Sequence, residues 1–272
     1  MKFKPPIPHE HGAWAMLYAP MLIAILALGR FELAVVLFLI ATTAIFLAHE
    51  PLAVLVKLNP NRPSSPQIFR ASKWWLAIYC AIAMAATMPL LLHYERWLLA
   101  PFGVVLLALL STHIYLASKR EERTISGEFL GVISLTLTAP SAYYVLTGKL
   151  DMFCLLLWGL NIVYFTSSIF YVKMRVSRFA KKKDADALTW QCLGYHVLLA
   201  AGIGALMWMN WITGVAALAF LPVILRTFAG LKKEKGKLNL KRIGIAETVY
   251  TLLFVIFLAW GLGASTLVLL RS

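Results

Sequence analysis

Residues 33–56 read LAVVLFLIATTAIFLAHEPLAVLV, an apolar run whose single charged side chain is Glu50. Crossing a hydrocarbon core of about 30 Å takes about 20 such residues in a helix. The run shows no sustained period-two alternation, which argues against a strand of a membrane barrel. Working outward, comparable runs recur at about 13–29, 74–92, 97–117, 127–147, 152–172, 188–208, 211–229 and 245–269. The sequence therefore predicts an all-α polytopic bundle of nine transmembrane helices forming a single integral membrane domain over 1–272.

Composition agrees. Hydrophobic residues are 61% and charged residues 14% of the chain, with a mean hydropathy of +0.77, whereas a soluble domain carries about 25% charge. These values exclude a water-soluble enzyme, a disordered tail and a collagen. Cys80, Cys154 and Cys192 lie far apart inside apolar runs with no CxxC spacing, so they read as small core residues. No small-residue cleavage site follows the first apolar run, which is therefore expected to be a true span.

The chain holds 26 Lys+Arg against 12 Asp+Glu. With nine spans, 22 of the basic residues fall on the side of the N-terminus and four, Arg30, Arg96, Lys149 and Arg271, on the other. The excess of Lys and Arg in cytoplasmic loops then sets the orientation, N-terminus inside and C-terminus outside. The basic residues follow topology over five segments. They form no stripe with interleaved aromatic platforms, so no nucleic acid partner is expected.

Polar residues gather at the cytoplasmic ends of the spans. Pro8-His9-Glu10-His11-Gly12-Ala13-Trp14 opens the first run; its His-x-His suits a metal, a helix cap or an interfacial anchor. His49-Glu50-Pro51 lies within the second. Ionisable groups at such depth usually face a partner or a cavity, and Pro51 removes a helix hydrogen bond. Glu50, Val54 and Lys57 share one face, with Ala53 beside them. The loop Asn59-Pro60-Asn61-Arg62-Pro63-Ser64-Ser65-Pro66, followed by Arg70 and Lys73, is stiff, and its arginines present forks suited to phosphate. Ser118 to Arg123 includes Lys119 and Arg123, with Glu128 beyond. Ser167-Ser168-Ile169-Phe170-Tyr171-Val172-Lys173-Met174-Arg175 closes the sixth run, and Lys181, Lys182 and Lys183 read as a solvated or lipid-facing tract. Glu247, early in the last run, requires a partner such as His196 or a loop base. One polar mouth above an apolar interior suits an amphiphile with an anionic head.

This layout resembles the UbiA superfamily of intramembrane prenyltransferases, over nearly the whole chain. That family carries Asn-Asp-x-x-Asp-x-x-x-Asp at the end of span 2 and a second aspartate-rich segment ending span 6. Its carboxylates hold Mg²⁺ on a prenyl diphosphate, and loop cations clamp the diphosphate. Here the first motif falls on His49-Glu50-x-x-Ala53-x-x-x-Lys57. Asn61-Arg62-Pro63 matches the family's Asn-Arg-Pro, and Tyr115-Leu116-Ala117-Ser118-Lys119-Arg120 resembles its Tyr-x-x-x-Lys-Arg. Tyr171-Val172-Lys173-Met174-Arg175 occupies the second segment without an acid. The His9-Glu10-His11-Gly12-Ala13-Trp14 opening and Phe170–Arg175 also resemble the YwiC-like proteins, a bacterial membrane family, which implies the bacterial cytoplasmic membrane.

The resemblance implies binding of a prenyl diphosphate or related anionic isoprenoid lipid in a cytoplasm-facing cationic cavity. Mg²⁺ would lack its usual aspartates, so no cofactor is expected and fixed cations replace the metal. His49 and Glu50 are the catalytic or acceptor-orienting candidates. His9, His11, Lys57, Asn61, Arg62, Arg70, Lys119, Arg123, Tyr171, Lys173 and Arg175 are the substrate-binding candidates. Two other readings stand beside a metal-independent prenyltransferase. One is a non-catalytic carrier or transporter of a lipid or quinone, although no broken-helix pair or internal repeat stands out in the sequence. The other is a metal or haem protein using His9, His11, His49 and Glu50. Glu50→Gln and Arg62→Ala are each expected to lower retention of the copurifying lipid; unchanged retention in both moves the site elsewhere.

Overall fold

The computed structural model describes residues 11–57, 66–119, 121, 124–231 and 240–269. Among these residues the only regular secondary structure is helix. The helices are α1 (His11–Leu28), α2 (Leu33–Lys57), α3 (Pro66–Leu92), α4 (Leu99–Ser118), α5 (Ile125–Thr136), α6 (Thr138–Thr147), α7 (Met152–Phe179), α8 (Ala185–Trp208), α9 (Gly214–Leu218), α10 (Leu221–Gly230) and α11 (Leu240–Leu269).

Seven segments are long and apolar enough to cross a membrane: Leu33–Val56, Pro66–Leu92, Leu99–Leu116, Ile125–Thr147, Met152–Phe179, Ala185–Trp208 and Arg242–Gly263. The other two expected spans appear as shorter apolar stretches, Gly12–Leu28 and Gly214–Gly230. At 1.5 Å per residue, the first rises about 26 Å, below the thickness of the hydrocarbon core. The second is interrupted. Large apolar side chains such as Trp190, Leu198, Trp208 and Trp260 stand exposed, an arrangement suited to acyl chains and costly in water. The protein is an integral membrane protein.

Two helices expected to be continuous are broken, contrary to the sequence reading. Ile125–Thr147 turns at Leu137 between α5 and α6, and Gly214–Gly230 turns at Ala219 and Phe220 between α9 and α10. A proline follows each break. Pro140 has no N–H for the Thr136 carbonyl and Pro222 none for that of Leu218, so the preceding turn is not held. Pro20, Pro51 and Pro89, in contrast, lie inside α1, α2 and α3 without ending them.

The chain divides into two compact units. The first comprises Phe31–Ser134 and Ser141–Leu150. Within it α2 packs along α3 and touches α4. Arg96 donates from Nε to the Val145 carbonyl (2.8 Å) and from Nη1 to the Tyr94 carbonyl (2.9 Å). It thus satisfies a carbonyl in the last turn of α6, where a cation also suits the helix dipole. Gly148 continues with φ +70°, and a Cβ there would stand 3.1 Å from the Arg96 guanidinium.

The second unit comprises Gly12–Arg30, Leu135–Pro140 and Asp151–Ser272. Here α7 packs on α8, α10 lies against both, and α9 lies against α11. Asp151 caps α7 by accepting from the Cys154 amide (3.1 Å). Tyr164 of α7 stacks on Phe254 of α11 at 3.6 Å between ring centres, and Phe220 closes on both edge-on. All three are fully buried. Thr138 donates to the Leu17 carbonyl (2.8 Å), tying α1 to the start of α6.

α9 and α11 meet backbone to backbone. A Cβ on Gly261 would lie 2.3 Å from the Ala216 nitrogen, so only glycine permits the approach. Thr213 uses the same proximity: its hydroxyl donates to the Gly261 carbonyl (3.0 Å) and accepts from the Ala216 amide (3.2 Å). Gly261→Ala is expected to cost about 1–3 kcal/mol through overpacking against backbone, read as a lowered Tm of the detergent-solubilised protein.

Candidate functional site

The second unit contains an ion pair between elements separated in sequence. α10 begins after the Pro222-associated break and carries Arg226 inward, where the whole side chain is 2% exposed. Glu247, from the second turn of α11, pairs with it through Oε2 and Nη1, its own side chain being 19% exposed. Ser167 and Ser168 of α7 complete the arrangement. Arg226 Nη2 donates to both hydroxyls at 3.3 Å. Ser168 in turn donates to Glu247 Oε2 at 2.9 Å, and Ser167 to the Tyr164 carbonyl at 2.6 Å. Two aromatic rings flank the guanidinium: its carbon lies 4.6 Å from the Tyr171 ring centre and 5.5 Å from that of Tyr250. Each such cation–π contact is worth about 1 kcal/mol and more when water is excluded.

The same end of the unit is rich in arginine. Arg175 Nη1 donates to the Gly230 carbonyl (3.1 Å) and Arg178 Nη2 to the Leu231 carbonyl (2.9 Å). Both satisfy carbonyls at the C-terminus of α10, which has no further helical turn to use them. Gly230 is required for this approach: a Cβ there would stand 2.7 Å from Tyr171 Cε2 and 3.4 Å from Arg175 Cδ. Among the described residues this end thus carries three arginines and two carboxylates, Glu247 and Asp184, the latter accepting from the Ser177 hydroxyl (2.5 Å). On α8, which packs against α10, His196 Nδ1 faces the Cys192 carbonyl at 2.8 Å.

Among the residues expected at a site, Tyr171 and Arg175 fall in this cluster. Lys173 lies between them on α7, half-buried. His49, Glu50, Arg70 and Lys119 lie in the first unit. His49 on α2 meets His113 on α4 edge to face, ring centres 5.7 Å apart. Glu50 is half-buried and Arg70 exposed. Lys119 is exposed, with Nζ 5.8 Å from the Tyr115 ring centre. His9, Asn61, Arg62 and Arg123, and the side chains of His11 and Lys57, lie outside the described residues. Glu247 finds its partner in Arg226, the loop base of the two alternatives, rather than in His196.

Sequence reasoning missed Arg226 as a site residue because it was counted with the cytoplasmic loop charge. The available signal was its place inside Leu221-Pro222-Val223-Ile224-Leu225-Arg226, an apolar run in which a cation needs a partner. His113, inside an apolar run, was also passed over. The donor set does not fit the Mg²⁺ of prenyltransferases: Ala53 offers no ligand, and the Tyr171–Arg175 segment offers no carboxylate. Among the described residues no group of three or more His, Cys, Asp or Glu is placed to hold a metal ion.

Removing one member of a buried pair leaves the other uncompensated, at a cost of about 3 kcal/mol or more. Arg226→Met and Glu247→Gln should each lower Tm strongly, and the double variant should recover most of the loss. A double variant no better than the worse single one would show that the two residues do not interact.

The family model described as YwiC-like protein matches residues 7–143. The uncharacterized protein YwiC of Bacillus subtilis is 29% identical over 253 residues, which is 92% of this chain and 95% of that protein. An uncharacterized protein of Haemophilus influenzae is 23% identical over 252 residues, 93% of this chain and 96% of that protein. No solved structure matches the chain. With half of its length matched by the family model, the chain belongs to the YwiC-like family.

Proposed function

We propose that the protein binds an anionic isoprenoid lipid, a prenyl diphosphate or a close relative, with its head group at the cytoplasmic end of the second unit. The observation that carries this reading is the excess of cations at the ends of α7 and α10, where, among the described residues, Arg175, Arg178 and Arg226 stand with two carboxylates, Glu247 and Asp184. Fixed guanidinium groups neutralise phosphate oxygens without a metal. Exposed apolar flanks on the same helices offer an acyl-like surface to the tail. The reading keeps the layout of the intramembrane prenyltransferases while replacing their Mg²⁺ with side-chain cations. A UbiA-like arrangement of nine spans with the N-terminus in the cytoplasm is part of it.

Carriage of the lipid across the bilayer is a second reading, favoured by the two interrupted segments, α5–α6 and α9–α10. Discontinuous helices of this kind expose backbone groups that transporters use for substrate. Formation of a prenylated product from a prenyl diphosphate and an aromatic acceptor separates transfer chemistry from carriage.

Purified protein in detergent is expected to bind geranylgeranyl diphosphate with the same Kd in EDTA as in Mg²⁺, and to release isoprenoid lipid on solvent extraction. Binding that vanishes in chelator, or no binding at all, contradicts the proposal.

A further inference from the structure

We propose that His49 of α2 and His113 of α4 together hold a divalent d-block cation of the Zn²⁺ class in the first unit. The inference is independent of the lipid reading, which uses residues of the second unit.

An ionisable ring inside an apolar segment needs a polar partner or a function. His49 lies eight residues before the end of α2 and His113 five before the end of α4. At about 1.5 Å per residue, both therefore sit about 8–12 Å inside their helices. α2 and α4 touch within the first unit, and the two ring centres stand 5.7 Å apart with planes at 60°. Phenylalanine would give the same edge-to-face contact with no nitrogen to desolvate. Among the described residues no hydrogen bond reaches either ring nitrogen of His113.

The spacing fits a shared ion. Zn²⁺ lies about 2.0–2.1 Å from an imidazole nitrogen, so at tetrahedral to trigonal angles two ligating rings have centres about 5–6 Å apart. Each ring turns about χ2, a soft torsion, and so brings a nitrogen toward a common point without movement of its helix. There is room beside the second ring. A Cβ on Gly131 of α5 would stand 3.9 Å from His113 Nε2, and the glycine presents only backbone there. Both histidines are half-buried rather than sealed, so the pair is open to an arriving ion.

Imidazole nitrogens favour Zn²⁺, Cu²⁺ and Ni²⁺, whereas Mg²⁺ is held by oxygen. The cation is thus a different one from the Mg²⁺ of prenyltransferases. Among the described residues no third His, Cys, Asp or Glu joins the pair, so water fills the remaining positions. Structural Zn²⁺ uses four protein ligands, and an ion with open positions is one that exchanges or reacts. Two nitrogen–metal bonds form, each in place of a water on the ion, and no other bond changes.

The test uses the untagged full chain in detergent, stripped of metal with EDTA. Zn²⁺ binding is measured by equilibrium dialysis, with Co²⁺ absorbance as a second probe. The wild type should bind one Zn²⁺ per chain, and its Tm should rise with Zn²⁺ concentration, as binding to the folded state requires. His49→Phe and His113→Phe keep an aromatic ring and remove the ligand. Each should weaken Zn²⁺ by at least about tenfold, the loss that follows from disturbing even a ligand's outer partner, and should abolish the Zn²⁺-dependent rise in Tm. His93→Ala, which removes an exposed histidine just beyond α3, should bind as the wild type does. Should a phenylalanine variant fail to fold, His49→Gln and His113→Gln carry the same comparison. A wild type that binds neither ion, or a variant at either position that binds Zn²⁺ as tightly as the wild type, overturns the inference. Loss of binding in His93→Ala assigns the ion elsewhere and overturns it too. Binding of geranylgeranyl diphosphate, read separately, stands or falls with the proposed function alone.

Discussion

A guanidinium within an apolar helix bundle must be neutralised by the protein itself, and the second unit is arranged around that requirement. Desolvating Arg226 costs several kcal/mol unless its charge and N–H groups find partners. The partners come from two elements: Glu247 and the face of Tyr250 from α11, and Ser167, Ser168 and the face of Tyr171 from α7. α7 lies some fifty residues before Arg226 in sequence, while α11 is the next helix after α10. Their convergence is specified by one charge seeking compensation in a medium of low dielectric.

The surrounding backbone makes that convergence sterically possible. The break before Leu221 frees α10 from the direction of α9 and lets Arg226 point at α7. Gly230 admits Tyr171 and Arg175 at the end of α10, and Gly261 lets α11 settle directly on α9. Tyr164, Phe220 and Phe254 then fill the interior one to two turns away. Tyr164 also reaches Thr251 at 3.4 Å, and Thr251 bonds back to the Glu247 carbonyl at 2.9 Å. Apolar packing and the polar cluster thus fix the same helix faces, and a change in one is felt by the other.

The membrane-spanning character was legible from hydropathy alone, because a run such as 33–56 has few other uses. So was the need for a partner at Glu247, since an ionisable side chain in an apolar segment advertises itself. The partner's identity was not. Counting basic residues by loop places Arg226 outside the membrane, and only the break at Ala219–Phe220 returns it to the interior. That break depends on Pro222 acting on a carbonyl four residues earlier, whereas Pro20, Pro51 and Pro89 leave their helices intact; packing decides which proline interrupts. Ser167 and Ser168 carried no pattern beyond their presence. Gly261 carried none either, because a close approach is visible only when the opposing backbone is known. Arg96 looked like an isolated charge between two spans, yet it closes the end of α6 through Val145. His49 was singled out from its neighbour Glu50, while its actual contact, His113, came from another helix.

The most direct measurement is an electron cryomicroscopy map of the protein in a nanodisc at a resolution that separates side chains. The account predicts continuous density between the Arg226 guanidinium and the Glu247 carboxylate, with the Ser168 hydroxyl within hydrogen-bond reach of both. Arg226 turned outward to the lipid, with Glu247 paired elsewhere, would contradict it.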